Sequence, residues 1–143
     1  MHHRLLRILA LAFVALVILQ SLLGGALFFR SVGIGADQIV SHYGDKSFHG
    51  LIEVILPHAL FIGIALMATL HFLAFIPTLG VAIKQFATHA LFLLFFLDQS
   101  SVLLIAAGWS TAAYLKIIAF IGFELLLGWV WYLIFRHTLK ELV

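Results

Sequence analysis

Four long runs of apolar residues constrain this chain more than any other feature of its sequence. The runs cover residues 5–28, 51–76, 86–108 and 112–135. A helix of about 20 residues crosses the ~30 Å hydrocarbon core of a bilayer at a rise of about 1.5 Å per residue. Each run is long enough to do so, and together they leave no room for a soluble domain. The pattern predicts an all-α membrane protein, a four-helix transmembrane bundle that forms one domain over residues 1–143.

The composition excludes several classes of function. Of the 143 residues, 64% are hydrophobic and 10% are charged, whereas a soluble domain carries about 25% charged residues. The formal net charge of +2 is too small for a face that binds nucleic acid. The chain has no cysteine, which excludes disulfides, thiolate zinc sites and iron–sulfur clusters. No motif for acyl, phosphoryl or glycosyl transfer is present, so we predict no catalytic residue.

The distribution of basic residues predicts the orientation of the bundle. The first run is longer than the apolar region of a signal peptide, so we expect a retained helix. The excess of basic residues on one side favours a cytoplasmic location for both termini. The residues placed inside are Arg4, Arg7, Lys84, Arg136 and Lys140, and those placed outside are Arg30, Lys46 and Lys116.

The longest connection, residues 29–50, is predicted to contain a short helix. Asp37 is a suitable N-cap for an amphipathic turn that carries Ile39, Val40 and Tyr43. We expect this turn to lie on the outer membrane surface as an interfacial helix. Ser47 is the expected cap of the second membrane span.

Histidines near the inner ends of the second and third spans suggest a haem site. His71 and His89 flank one short connection, so they lie at similar depth on adjacent helices. Two facing imidazoles could be the axial ligands of haem b, which needs no cysteine; the alternative is a hydrogen bond between helices. A second haem at His58 is disfavoured, because thirteen residues separate it from His71 and turn it about 140° away on a straight helix. Its partner would have to be His42 or His49.

A group of polar residues near the outer surface allows a second interpretation. His42, His49, Glu53 and His58 supply ligand types that suit zinc, copper or non-haem iron. The alternative, which we prefer, is that these side chains solvate the interface and the start of the second span. Glu53 and His71 lie on one face of this helix, which we expect to face the bundle.

Two carboxyl groups are predicted to lie at mid-depth. Asp98 and Glu124 could join Glu53 in a proton path, or could form polar contacts between the third and fourth spans. Lys116, near the outer end of the fourth span, is expected to extend its amine to the interface.

Several short motifs resemble a group of small, four-span bacterial membrane proteins. The motifs are Tyr43-Gly44, Gly50-Leu51-Ile52-Glu53-Val54, His58, Leu70-His71-Phe72, Gly108-Trp109 and Tyr114-Leu115-Lys116. The resemblance covers most of the chain, and it implies an integral protein of the bacterial cytoplasmic (inner) membrane. It also implies that Glu53, His58 and His71 are functional positions.

Two functions are compatible with these features. The first is a membrane-embedded, haem b-binding electron-transfer subunit that works with a quinone or a periplasmic redox partner. The alternative is a cofactor-free structural or accessory subunit of a larger membrane complex of the respiratory type. In both cases we expect the chain to contact the lipid bilayer and other membrane protein subunits.

Overall fold

The computed structural model describes residues 2–140, with side-chain environments for residues 8–139, and it contains five helices in that range. These are α1 (His2–Ser31), α2 (Ala36–Gly44), α3 (Phe48–Ala74), α4 (Val81–Ala106) and α5 (Ala112–Lys140). All except α2 are long and apolar enough to cross a membrane. The prediction of an all-helical protein with four long apolar helices is therefore confirmed. The interfacial position of α2 and the orientation of the termini stay predictions.

The start of α2 differs from the prediction. Asp37 lies within the first turn, and the N-cap is Gly35, whose N–H donates to Gln38 Oε1 at 3.1 Å. The chain turns at Gly33, which has a φ of +83°, a conformation that glycine adopts readily. A Cβ at Gly33 would collide with the Gln38 side chain. This early turn starts the helix before Asp37 can cap it.

The start of α3 follows the local sequence signal. The predicted cap, Ser47, accepts a hydrogen bond from the Gly50 N–H at 3.2 Å. This satisfies one of the backbone donors that the first turn of a helix leaves without an intrahelical partner. The helix then begins at Phe48 and continues past Pro57 to Ala74.

The α4–α5 pair is the most extensively packed pair of helices in the described chain. A short connection joins the two helices, and Gly108 within it has a φ of +94°. Along the pair, Gly122 brings α5 close to α4, because a Cβ at this position would lie 3.3 Å from Leu94 Cδ2. Small residues allow membrane helices to approach in this way, which increases their van der Waals contact.

Two apolar clusters hold the bundle at its two ends. We call the end that carries α2 the α2 end. The cluster there joins α1, α2, α4 and α5, and its buried residues are Val32, Ile39, Ile105, Ala112 and Ala113. The cluster toward the opposite end joins the four long helices, and its most buried residues are Val14, Leu66, Leu73, Ala87, Leu91 and Val130. The contacts between α1 and α3 are the sparsest of any helix pair that meets. The space between them opens into a cavity.

Candidate intramembrane binding cavity

A cavity of about 410 Å³ lies within the bundle, beside the two apolar clusters. Its volume falls within the range of about 300–1,000 Å³ that is typical of small-molecule sites. Aromatic and aliphatic side chains supply much of its wall, among them Val17, Phe28, Leu66, Phe95, Phe120, Phe123 and Leu127. The same cavity is lined by the polar side chains described next, so it is apolar in its walls and polar at a few defined points.

A buried ion pair between α4 and α5 lies in the cavity wall. Lys116 Nζ lies 2.6 Å from Asp98 Oδ1, and the two residues are only 6% and 9% exposed. Gln99 Nε2 donates to the other carboxylate oxygen, Asp98 Oδ2, at 2.8 Å. The Lys116 ammonium also lies 5.6 Å from the centre of the Phe28 ring. Both oxygens of the carboxylate therefore have a donor, as a buried charge requires.

The expectation that Lys116 extends its amine to the interface is wrong. Its side chain turns inward because Asp98 is within its reach. Asp98 lies eight residues from the end of α4, and Lys116 lies four residues from the start of α5. At about 1.5 Å per residue, the two positions differ in depth by about 6 Å, which the lysine side chain spans.

A second polar contact connects α1 with α5. Ser21 Oγ donates a hydrogen bond to Glu124 Oε2, and both residues line the cavity. Glu124 was expected to share a polar layer with Asp98, and both residues do lie in the wall of one cavity. The partner of Glu124 is nevertheless on α1, and that partner was not predicted.

Tyr43 of α2 lines the same cavity as the ion pair. Burial, followed by the negative charge of Asp98, raises the pKa of the Tyr43 phenol to about 12. A phenol keeps its proton at physiological pH even at its ordinary pKa of about 10, and the shift moves Tyr43 further from ionisation. Its hydroxyl makes no hydrogen bond within the described part of the chain, so its donor remains available to a ligand.

His42, beside Tyr43, belongs to the edge of this site. Burial and the nearby Lys46 ammonium lower the pKa of the His42 imidazole. Lys46 Nζ lies 2.9 Å from His42 Nε2, a contact that suits a neutral ring accepting from the ammonium. These two side chains line the cavity at the α2 end.

The two predicted haem ligands lie on the exposed sides of their helices. His71 is two residues from the buried Leu73, and His89 is two residues from the buried Ala87, so each imidazole points about 160° away from that neighbour. The His71 ring packs edge-on against Phe75, and His89 Nδ1 lies 2.7 Å from the Gln85 carbonyl oxygen. No contact within residues 8–139 joins the two imidazoles. Haem ligation by this pair stays a prediction.

The four side chains predicted as a metal site are dispersed. His49 Nε2 and Glu53 Oε1 form an exposed pair at 3.1 Å, His42 contacts Lys46, and His58 lies lower on α3, at the edge of the cavity. Within residues 8–139, no three His, Cys, Asp or Glu side chains are grouped so that they could hold a metal ion.

The prediction that the face with Glu53 and His71 turns toward the bundle is wrong. Both of these residues are exposed. The buried face of α3 carries Leu51, Leu66, Thr69 and Leu73 instead.

Polar residues of the cavity that were not predicted as site residues from the sequence include Lys116, Gln20, Ser21 and Tyr43. Gln20 and Ser21 are adjacent polar residues in the middle of the first apolar run. Polar residues at such a depth are costly in lipid and therefore signal a function or a partner, and this signal could have identified them. Nothing local indicated that Tyr43 would turn toward the ion pair.

Comparison with known proteins identifies the type of domain. A family model described as a transmembrane helical domain, Aq_1264_TM, matches residues 35–141, which include the whole of α2, α3, α4 and α5. No curated protein and no solved structure matches the chain. The match supports an integral membrane protein and carries no statement about a ligand or an activity.

Proposed function

Since the chain belongs to the Aq_1264_TM family of transmembrane helical domains, we propose that it is a membrane subunit that binds a quinone-type molecule. Such a molecule has a neutral, carbonyl-bearing head group and an apolar tail. The observation that carries the proposal is the bundle cavity, in which the buried Lys116 and the half-buried Tyr43 supply donors in a mostly apolar wall. The quinone predicted as a partner from the sequence would be bound at this place.

The polar groups of the cavity favour a ligand that accepts hydrogen bonds. Lys116 has three N–H donors, of which one is directed to Asp98. The Tyr43 hydroxyl supplies a further donor, since a phenol is protonated at physiological pH. A buried donor without an acceptor is unfavourable. A ligand carbonyl oxygen between Lys116 and Tyr43 would remove that cost.

The charge of the cavity favours a neutral head group over an anionic one. The positive charge of Lys116 is already compensated by Asp98 at 2.6 Å. Lys46, the other lysine of the lining, is exposed at the α2 end. A carboxylate or phosphate beside Lys116 would therefore lose its hydration without meeting an uncompensated positive charge. Lys46 could compensate such a charge only at the exposed α2 end of the cavity. A neutral carbonyl group avoids this cost.

The apolar part of the cavity suits a ring and a hydrocarbon tail. Phe28, Phe95, Phe120 and Phe123 all line it, and aromatic side chains provide large apolar surfaces that pack well against a planar ring. Sites for such ligands combine mostly apolar walls with a small number of placed polar groups.

Equilibrium binding to the purified full-length chain in detergent tests the proposal. The probes are a short-tailed benzoquinone or naphthoquinone and a fatty acid of similar length. We expect saturable binding of the quinone at one site per chain, with the fatty acid at least about tenfold weaker, a difference of about 1.4 kcal/mol. Absence of quinone binding, or equal binding of the two probes, would contradict the proposal.

Tyr43→Phe tests the predicted contact with the head group. This variant removes one hydroxyl, and loss of one hydrogen bond of about 1 kcal/mol weakens quinone binding about fivefold. Tyr114→Phe is the matched control, because Tyr114 is 63% exposed and is not part of the cavity lining. Equal effects of the two variants would remove Tyr43 from the site.

The haem b and electron-transfer part of the sequence-based hypothesis can be tested in the same sample. With His71 and His89 on exposed helix sides, a haem between them would lie at the surface of the bundle, against another subunit. A reduced-minus-oxidised spectrum with a b-type band, lost in both His71→Ala and His89→Ala, would support this role. A colourless sample that binds quinone would leave a haem-free subunit of a larger complex.

A further inference from the structure

The cavity has its opening on one side of the bundle. Among the described residues that line it, the exposed ones lie on α1, on α3 and in the turn that precedes α3: Gln20, Gly24, Lys46, Val54, His58 and Phe61. The lining residues of α4 and α5 are all buried or half-buried. The gap between α1 and α3, which we call the mouth, therefore connects the cavity with the surrounding lipid.

Two polar side chains flank the mouth at the same depth. Gln20 lies eleven residues before the end of α1, and His58 lies ten residues after the start of α3. At about 1.5 Å per residue, both are about 15–17 Å from the α2 end. Neither makes a hydrogen bond within residues 8–139, and both are exposed. Polar side chains without partners are unfavourable at such a depth in a membrane helix and are by default functional candidates.

A glycine, which has no side chain, helps to keep the mouth open. Gly24 lies on α1 at the mouth, and a Cβ built there would have no atom within 4 Å. α1 and α3 make few contacts with each other, and α1 is connected to α5 through Ser21 and Glu124. A molecule moving in the bilayer would therefore meet an open gap here and packed helices at the α4–α5 pair.

We infer that the ligand enters the cavity sideways from the bilayer through the mouth, and that Gln20 and His58 hydrogen-bond to its head group during passage. This inference rests on the proposed binding of a quinone-type molecule. A polar head group in hydrocarbon has no hydrogen-bond partners. The amide of Gln20 and the imidazole of His58 supply them along the route to Lys116 and Tyr43. Gln20 and His58 therefore favour the entry of ligands whose head groups can form hydrogen bonds.

A bulky label at Gly24 tests the route without changing the folding of the protein. Because the chain has no cysteine, Gly24→Cys introduces a single thiol, which is modified with a bulky maleimide after purification. We expect the association rate of the short-tailed quinone to fall about tenfold or more on labelling. The dissociation rate should fall as well, because the label obstructs movement in both directions, so that Kd changes much less.

Gly128→Cys with the same label is the matched control. Gly128 lies on α5, is exposed, has no atom within 4 Å of a Cβ and does not line the cavity. Its label should leave both rates unchanged. Suppose that the unlabelled protein binds quinone, but the Gly24 label leaves the rates unchanged or the two labels have equal effects. Entry through the mouth is then overturned, and the binding proposal stands. If unlabelled Gly128→Cys and wild-type protein bind no quinone, the binding proposal fails and the inference fails with it.

His58→Leu tests the polar pair at the mouth. We expect the association rate of the quinone to fall about threefold or more, while a probe with the same tail and no polar head is unaffected. The control is Gln85→Leu, because Gln85 is also an exposed polar residue of a membrane helix and lies outside the cavity lining. Equal slowing of both probes, or equal effects of both variants, would remove His58 from the route.

Discussion

The two sides of the bundle are built differently. On one side, a short connection joins α4 and α5, which pack along their length and share the Lys116–Asp98 ion pair. On the other side, α1 and α3 are separated in sequence by α2, touch sparsely and have the cavity between them. The packed side can fix the positions of hydrogen-bond donors, and the open side can admit a molecule. A membrane-embedded binding site needs both properties, and here they are divided between helix pairs.

One polar contact connects the two sides across the cavity. Ser21 of α1 donates to Glu124 of α5, so the open wall is bound to the packed pair at mid-depth. The α2 end is connected in addition by the apolar cluster around Val32 and Ile39. Substitutions in the ion pair, in the Ser21–Glu124 contact and at the glycines should therefore change the stability of the two sides to different degrees.

Loss of the ion pair should have the largest effect. Lys116→Met leaves the Asp98 carboxylate buried without its cation, and breaking a buried pair in this way costs about 3–5 kcal/mol. We expect this decrease in the free energy of unfolding, measured in mixed detergent and SDS. The control is Lys84→Met, because Lys84 donates a single hydrogen bond, to the Ala74 carbonyl oxygen, and its loss should cost about 1 kcal/mol or less.

A double variant distinguishes loss of the charge pair from loss of packing. Asp98→Leu combined with Lys116→Met removes both charges, and replacement of a buried pair by apolar residues is often neutral or stabilising. We expect it to recover most of the stability lost in Lys116→Met. If the single variant costs no more than Lys84→Met, the packed side does not depend on its ion pair, and the contrast between the two sides is weaker than proposed.

Loss of the Ser21 hydroxyl should have an intermediate effect that is confined to the open side. Ser21→Ala leaves Glu124 without its donor, which costs about 1–3 kcal/mol for a buried polar group. Hydrogen exchange should become faster at the α1 amides and stay unchanged along α4 and α5. Ser41→Ala is the control, because Ser41 is exposed on α2. An equal increase in the hydrogen-exchange rate in all four long helices would show that α1 is not attached independently of the other helices.

The sequence predicted those parts of the fold that depend on local signals. The long apolar runs predicted four membrane helices, and Ser47 predicted the start of α3. Both features depend on residues that are adjacent in the chain. Counting residues also assigned Asp98 and Glu124 to one polar layer, and both residues line one cavity. The direction in which a side chain points around its helix was not predictable, because helices that are apolar on all sides have no stripe to indicate the buried face.

The errors follow from that missing angular information. Glu53 and His71 were expected to face the bundle, and both are exposed. Lys116 was expected at the interface, and it is paired with Asp98. Each prediction assigned the residue to the correct helix and was wrong about the direction of its side chain. A site between helices therefore becomes visible only when the helices are placed against each other.

Substitution of a glycine should have the smallest effect on the free energy of unfolding. It also gives the most direct comparison of the two sides. Gly24→Ala adds a methyl group where no atom lies within 4 Å, whereas at Gly122 the added Cβ lies 3.3 Å from Leu94 Cδ2. Alanine favours a helix by up to about 1 kcal/mol over glycine, and overpacking costs about 1–3 kcal/mol. We expect Gly24→Ala to be neutral or stabilising and Gly122→Ala to be about 1 kcal/mol less stable than Gly24→Ala. Unfolding of both variants in SDS measures this difference. Equal stabilities would mean that α4 and α5 have as much free space at Gly122 as the open side has at Gly24, and the proposed division between a packed and an open side would then fail at this position.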